Sequence, residues 1–173
     1  MSPVGTRLPK PRATRPHMPG YGLPRGTRGL LPWKWAEDRL KKSHIYWIAT
    51  TRPDGRPHLM VVWGFWKDGR FLFSTGSQSR KAKNLASNRR CIIATEQANQ
   101  AVIVEGVAEI LADVELRRWF LAQTEKKYKF DMSAFAEDIL NLTEPVYTVH
   151  PDIVFGLDEK KSLKSATRWH FRQ

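Results

Sequence analysis

Runs of apolar residues predict a series of short strands in the middle of the chain. The segment 44–51 is rich in aromatic and β-branched residues, and 56–66 follows it after Pro53-Asp54-Gly55, whose proline and glycine favour a tight turn. A second turn at Lys67-Asp68-Gly69 leads into a strand at 70–75. Two short turns that join three strands predict an antiparallel meander.

The middle strand of this meander is apolar on both faces. Its two faces are Met60, Val62 and Trp66 on one side, and Leu59, Val61, Trp63 and Phe65 on the other. A face that meets bulk water is normally polar, so we expect both faces to be covered. One face can fill a barrel, and the second then needs a helix, a ligand or a partner subunit. This strand is the first indication of a homodimer.

The remaining segments alternate between helices and strands. They are a helix at 33–43, a helix at 79–88, strands at 90–95 and 101–111, helices that begin at the N-caps Asp113 and Ser133, and short strands at 146–150, 153–157 and 167–171. Gly106 interrupts an apolar strand and predicts a bulge. Six or so antiparallel strands with flanking helices predict an α+β, mainly β, domain built on a small barrel.

The first 31 residues differ in composition from the rest. They carry six basic side chains, no acidic ones, and six of the eleven prolines. Such a stretch cannot bury enough apolar surface to offset the entropy that is lost on ordering. We therefore expect a flexible basic arm at 1–31 that adds little stability, ordered structure from about Pro32, and a single domain over 32–173.

Charge, cysteine content and hydropathy exclude several classes of protein. The net charge is +12, but the arm holds half of the excess, and the milder surplus of the domain favours anionic ligands without requiring nucleic acid. The arm offers one aromatic ring, Tyr21, for base stacking, so nucleic acid is not the expected partner. Cys91 is the only cysteine and the histidines lack ligand spacing, which argues against a disulfide or a metal site. Without a membrane span or a secretory signal, we expect a cytoplasmic protein.

One segment points to ligand binding: Ser74-Thr75-Gly76-Ser77-Gln78-Ser79-Arg80-Lys81-Ala82. Here a strand ends, small hydroxyl residues form a loop, and a helix begins with two adjacent cations. Backbone N–H groups at a helix N-terminus, hydroxyls and a guanidinium together can bind a phosphate. Cations in a first turn oppose the helix dipole, which favours a compensating anion. The alternative is that Ser79 is only an N-cap, with Arg80 and Lys81 on a solvated helix face.

Several segments together resemble a known family. They are Ala49-Thr50-Thr51-Arg52-Pro53-Asp54-Gly55-Arg56-Pro57-His58, Phe71-Leu72-Phe73-Ser74-Thr75, Ser79-Arg80-Lys81-Ala82-Lys83-Asn84-Leu85 and Val104-Glu105-Gly106-Val107-Ala108-Glu109. They are similar to the pyridoxamine 5'-phosphate oxidase-like, FMN-binding split-barrel superfamily, and more narrowly to its flavin and deazaflavin oxidoreductases. The resemblance covers about 33–171, and its most specific part is Ser79-Arg80-Lys81-Ala82.

The resemblance implies a homodimer of split β-barrels with two cofactors at the subunit interface. It implies that the cofactor phosphate lies against Arg80 and Lys81, with Ser74, Thr75 and Ser79 nearby. The isoalloxazine ring then lies along the strand that follows Pro57. The residues implied to touch the ring are Met60, Val61, Val62 and Trp63, with Arg168 and Trp169 reaching it from a C-terminal strand.

The function that the resemblance implies is an FMN-dependent oxidoreductase acting on a small-molecule substrate, with a nicotinamide nucleotide as one candidate. Because the cofactor carries the chemistry, no catalytic acid–base pair is predicted. The chain ends in Thr167-Arg168-Trp169-His170-Phe171-Arg172-Gln173 and lacks the Arg-Leu-His-type element of true pyridoxamine 5'-phosphate oxidases, which argues against that reaction. Two alternatives stay open: the deazaflavin coenzyme F-420 as cofactor, whose anionic tail suits a basic rim, and a flavin-binding protein without turnover.

His58 is interpreted as a packed or surface histidine, and 125–129 as a solvated helix end.

Overall fold

The computed structural model describes residues 11–161 and 163–171, which form nine strands and four α-helices. The strands are β1 Arg12–Thr14, β2 Tyr46–Thr51, β3 Pro57–Val62, β4 Gly64–Lys67, β5 Arg70–Ser74, β6 Arg90–Thr95, β7 Gln100–Ile110, β8 Val146–Asp158 and β9 Thr167–His170. The helices are α1 Trp33–Lys42, α2 Arg80–Ser87, α3 Val114–Tyr128 and α4 Ser133–Leu140. The predicted mainly β class with flanking helices is confirmed, with more strands than the six expected.

The strands form one antiparallel sheet with open edges. Its main path runs β1-β9-β8-β7-β6-β2-β3, while β4 pairs with β5 and β5 pairs with β8. The predicted meander is present, because β2 pairs with β3 and β4 with β5. Since β3 is the last strand of the path, one of its edges has no neighbouring strand.

The predicted strand at 56–66 is divided at Trp63 into β3 and β4. The N–H of Gly64 donates to the Tyr128 hydroxyl at 2.8 Å, and the Gly64 carbonyl accepts from Lys127 Nζ at 2.9 Å. The C-terminal turn of α3 therefore satisfies the N–H and the carbonyl of Gly64, which is in register with Phe73 of β5. A Cβ at Gly64 would collide with the ring of Phe71, so only glycine fits here.

The two strands predicted at 146–150 and 153–157 are one continuous strand, β8. A register shift between Glu105 and Gly106 on β7 places Gly106 opposite Pro151, which confirms the predicted irregularity at Gly106. Because proline cannot donate to the ladder, it is tolerated at such a bulge. A Cβ at Gly106 would collide with the backbone of His150. The strand therefore continues past Pro151 instead of ending there.

Two of the three residues considered as N-caps, Ser79 and Asp113, cap their helices with a side-chain hydrogen bond. Ser79 Oγ accepts from the N–H of Ala82 at 3.1 Å, and Asp113 Oδ1 accepts from two N–H groups of the first turn of α3. The prediction for Ser133 is wrong, because Ser133 is the first helical residue of α4. Its N–H donates to Asp131 Oδ1 at 2.9 Å.

Two apolar cores hold the sheet to its helices. The first fills the barrel beneath α1 and includes Tyr46, Phe71, Phe73, Ile93, Val104, Val154 and Trp169. The second lies beneath α3 and α4 and includes Phe65, Leu72, Leu116, Phe120, Ile139 and Val146. Because successive side chains of a strand alternate between faces, β5 contributes to both cores.

The arm is ordered further toward the N-terminus than predicted. β1 pairs with β9, and the Arg15 guanidinium donates to three backbone carbonyls, one of which belongs to Arg28. Leu31 is fully buried. The prediction that ordered structure begins near Pro32 is therefore wrong, because long-range pairing satisfies the arm's polar groups. Residues 1–10 lie outside the described residues.

Candidate functional site

The edge strand β3 is exposed on both of its faces. Met60 and Val61 point to opposite faces, and they are 46% and 43% exposed. Val62 is buried in the barrel core, whereas Trp63 at the end of the strand is again exposed. Within one chain, both faces of this strand are therefore accessible to a ligand or a partner.

Hydrogen bonds to Glu144 and within the loop hold the segment before α2 in place. The Ser77 N–H donates to Glu144 Oε2 at 2.6 Å, and the Ser77 hydroxyl donates to Glu144 Oε1 at 2.9 Å. The hydroxyls of Thr75 and Ser79 share a hydrogen bond of 3.0 Å. A carboxylate thus occupies loop donors that the sequence pattern assigned to a phosphate. The charged groups left at this helix terminus are the side chains of Arg80 and Lys81.

Three cations converge on His58, beside β3 and α2. The pKa of His58 is lowered first by burial and then by the positive charges of Arg52, Lys81 and Arg80. Burial also lowers the pKa of Lys81. Among the described residues, no carboxylate oxygen lies within 4.0 Å of the charged nitrogens of these three cations. The cluster Arg52, His58, Arg80 and Lys81, here called the cationic cluster, therefore favours an anionic ligand.

Polar atoms in and beside the cationic cluster are buried without a hydrogen-bond partner. They are Arg52 Nε, His58 Nδ1 and Asn84 Oδ1. Asn84 is fully buried, and its Nδ2 donates to Thr50 Oγ1 at 3.0 Å, which fixes the amide beside β2. Unsatisfied buried polar groups are costly, and their concentration at one place is typical of a binding site. Sequence reasoning missed Arg52, Thr50 and Asn84, although all three lie within the segments that carry the family resemblance.

The two candidates on β9 lie apart from this cluster. Trp169 is fully buried and contacts Trp33 edge to face at 5.5 Å. Arg168 points to the opposite face of the sheet, where its Nε donates to Thr14 Oγ1 at 3.2 Å. Four strands separate β9 from β3 in the sheet order. Within one chain, the structure does not bring Arg168 or Trp169 to β3.

The face of the sheet opposite the barrel core, here called the outer face, carries apolar side chains in cross-strand register. One row is Val61, Trp47, Ala94, Ile103 and Phe155, and the row beside it is Leu59, Ala49, Ile92 and Ile153, interrupted by the charged Glu105 between Ile92 and Ile153. Trp47 is 42% exposed, and Leu59 and Ile92 are also exposed. A contiguous exposed apolar surface of this kind marks an interaction site.

The interpretation of 125–129 as a solvated helix end is wrong for Lys127 and Tyr128. Tyr128 stacks on Trp63 with 4.5 Å between the ring centroids, and its hydroxyl contacts Gly64. Lys127 Nζ lies about 5 Å from the rings of Tyr46, Phe65 and Tyr128. Burial lowers the pKa of Lys127 to about 8. The charge run concealed these roles because both depend on contacts with β2 and β4.

Two clefts of the described chain lie away from the cationic cluster. One of about 260 Å³ lies between α1 and the β6–β7 connection, and one of about 230 Å³ lies between Pro16 and Phe155. In residues 11–161 and 163–171, no three His, Cys, Asp or Glu side chains are grouped so that they could hold a metal ion. No helix in that part of the chain is both long and apolar enough to span a membrane.

Family comparison agrees with the observed architecture. Residues 33–149, more than half of the chain, match the family model described as pyridoxamine 5'-phosphate oxidase. The chain belongs to the pyridoxamine 5'-phosphate oxidase family. The match includes β3 and the start of α2 and excludes β1 and β9.

Solved structures share the fold of this member of the pyridoxamine 5'-phosphate oxidase family. The conserved hypothetical protein Rv2991 from Mycobacterium tuberculosis is 24% identical, with a TM-score of 0.61 over 80% of this chain and 92% of that one. A protein named F420 reductase is 21% identical, with a TM-score of 0.56 over 68% of this chain and 94% of that one. A FAD-binding protein from Mesorhizobium loti is 16% identical, with a TM-score of 0.56 over 80% and 95%. No curated protein matches the chain. These likenesses agree with the predicted split-barrel fold.

Proposed function

We propose that the chain is an FMN-dependent oxidoreductase that transfers a hydride to or from a small-molecule substrate. The observation that carries this proposal is the cationic cluster. It combines three cations that have no carboxylate oxygen within 4.0 Å among the described residues with buried polar atoms that have no hydrogen-bond partner, next to a strand exposed on both faces. A ligand with an anionic group joined to an apolar ring system matches this surface, because the anionic group suits the cationic cluster and the ring suits the exposed strand β3.

In the proposed complex the phosphate lies against Arg80 and Lys81, with Ser74 and Thr75 at its rim. Lys81 is half-buried, and burial lowers its pKa, so a phosphate would give its ammonium group a counter-charge that no described carboxylate supplies within 4.0 Å. Arg52 Nε and His58 Nδ1 are further polar atoms that the anion or its ribityl chain could satisfy. The cluster therefore fits a ribityl phosphate.

The ring of the cofactor is proposed to lie along β3, in contact with Met60, Val61 and Trp63; the implied contact with Val62 is not included, because that side chain is buried in the barrel core. When bound, the flavin supplies the hydride-accepting and hydride-donating ring. The protein binds it, orients it and keeps water from its faces. In the chain without ligand, burial and then the three neighbouring cations lower the pKa of His58, and a bound phosphate would oppose the effect of those cations. No dedicated acid–base pair is required of the chain.

We propose that the protein works as a homodimer through its outer face. A single chain leaves Trp47, Leu59 and Ile92 exposed on that face. A second copy would cover the apolar rows and turn the open surface of β3 into an enclosed site.

Two alternatives have observations in their favour. The deazaflavin coenzyme F-420 also carries a ribityl phosphate, and its anionic tail suits a chain with a net charge of +12. One structural neighbour is named F420 reductase. A flavin-binding protein without turnover is the other alternative, because the described site needs no catalytic side chain to hold a cofactor.

The absorption spectrum of the purified full-length protein is the first test. FMN gives two visible bands and a deazaflavin gives one. Titration with FMN, riboflavin and F-420 then measures binding of each cofactor. Reduction of the bound cofactor with nicotinamide nucleotides distinguishes an enzyme from a flavin-binding protein without turnover, here called a carrier. Binding of neither FMN nor F-420 would refute the proposal, and binding without reduction by any donor or acceptor would favour the carrier.

A further inference from the structure

Four aromatic rings form a continuous surface at the end of β3. Trp63 stacks on Tyr128 with an angle of 5° between the ring planes, and Phe130 stands at 69° to Trp63 with 5.5 Å between the centroids. Phe135 on α4 contacts Phe130 at 6.1 Å. Trp63, Phe130 and Phe135 are 41%, 42% and 45% exposed. We call Trp63, Tyr128, Phe130 and Phe135 the aromatic shelf.

The indole of Trp63 is held in a fixed orientation by the turn that carries it. The Tyr128 hydroxyl accepts from the Gly64 N–H at 2.8 Å and lies 2.8 Å from the His44 carbonyl oxygen. Lys127 Nζ donates to the Gly64 carbonyl at 2.9 Å. Tyr128 thus anchors the backbone next to Trp63 and also fills one face of the indole. Trp63 nevertheless remains 41% exposed.

The shelf continues directly from the strand on which the cofactor is proposed to lie. Trp63 follows Val62, the last residue of β3, and the ring of Phe130 forms a corner of 69° with the indole of Trp63. An exposed corner of rigid aromatic rings suits a flat ring that stacks on one wall and meets the other with its edge. A fixed indole loses little conformational entropy when it binds such a ring.

We propose that the aromatic shelf binds the planar aromatic ring of the substrate, next to the cofactor. This inference rests on the proposed function, whose cofactor site lies along β3. It makes Trp63 a boundary residue that contacts the cofactor with its backbone side and the substrate with its exposed indole face. Tyr128 and Lys127 are positioning residues, because they act on the substrate through Trp63 and Gly64.

Calorimetric titration of the full-length protein with 2-naphthol tests the shelf, with the saturated ring trans-decahydro-2-naphthol as the matched probe. We expect Trp63→Leu to weaken 2-naphthol binding about tenfold, which corresponds to about 1.4 kcal/mol. Trp63→Phe keeps a flat ring and should lose less than about threefold, within the range of a single stacking contact. Tyr21→Leu removes an exposed aromatic ring outside the shelf and should change nothing. The saturated probe should bind weakly and respond to none of these changes.

Separate outcomes distinguish the shelf from the cofactor site. The double change of Arg80 and Lys81 to Ala should leave 2-naphthol binding intact, since neither residue contributes to the shelf. If wild-type protein binds no FMN or F-420 but still selects 2-naphthol through Trp63, the proposed function fails and the shelf stands as an aromatic site. Equal binding of the flat and saturated probes, or full binding by Trp63→Leu, overturns the shelf. So does a Trp63→Leu variant that binds 2-naphthol normally but dissociates into monomers, because the shelf would then belong to the subunit interface.

Discussion

Replacing Arg80 and Lys81 by Ala should weaken binding of FMN and F-420 by about a hundredfold. Each side chain is proposed to make a charge-assisted hydrogen bond to the phosphate, worth about 1.5–3 kcal/mol when partly buried. Arg80 is exposed and Lys81 half-buried, so the lower end of that range applies to both. Two such bonds come to about 3 kcal/mol, or roughly two decades in the dissociation constant. Fluorescence titration of the apoprotein measures the change.

Two controls separate a phosphate contact from a general loss of charge. Lys83→Ala removes an exposed cation from the same helix, and we expect it to leave both affinities within about threefold, as for a screened surface charge. Riboflavin, which lacks the phosphate, should bind wild type and the double variant equally. Because the cations of the cluster repel one another, the apo double variant should be at least as stable as wild type. Unchanged FMN and F-420 affinity in the double variant, or an equal loss in Lys83→Ala, would refute the reasoning and return Arg80 and Lys81 to a solvated helix face.

Three further predictions concern the assembly, the arm and a buried amine. Sedimentation at micromolar concentration should show a dimer for wild type and a monomer for Trp47→Glu, which puts a charge in the apolar row; a monomeric wild type contradicts the outer-face interface. Deletion of 1–31 removes the contacts of Arg15 and the buried Leu31, so the melting temperature should fall by more than about 5 °C. An unchanged melting temperature would show that the arm does not stabilise the fold. Burial lowers the pKa of Lys127 from 10.5 to about 8, so the unfolded chain binds more protons between these values and the free energy of unfolding rises with pH across that window. Urea denaturation should show the rise reduced in Lys127→Met, and an identical profile would contradict it.

Local sequence patterns predicted a structural feature correctly wherever the contact that determines it joins residues close in the sequence. Asp113 caps the helix that begins one residue later, and Ser79 caps α2 through the N–H of Ala82. The turn at Pro53-Asp54-Gly55 and the irregularity at Gly106 also follow from the residues themselves. Each of these features needs only the backbone preference of one residue or a hydrogen bond within a few positions.

The errors fall where a distant partner decides the outcome. The first strand was predicted to start at His44, but β2 starts two residues later, at Tyr46. The N–H of His44 donates to the Glu96 carboxylate at 2.8 Å, and no pattern near His44 reveals this contact. The division at Trp63 depends on Tyr128, and the order of the arm depends on β9. The cationic cluster illustrates the same limit, because its cations were visible as types of residue while their convergence on His58 required the fold.

The length of β8 has a consequence for how the protein unfolds. This one strand pairs with β5, β7 and β9, and it supplies Val146 to the core beneath α3 and α4 and Val154 to the barrel core. Neither core can lose its packing without disturbing the ladder that both share. The two cores should therefore melt in a single cooperative transition, with amide protons along β8 exchanging only through global opening.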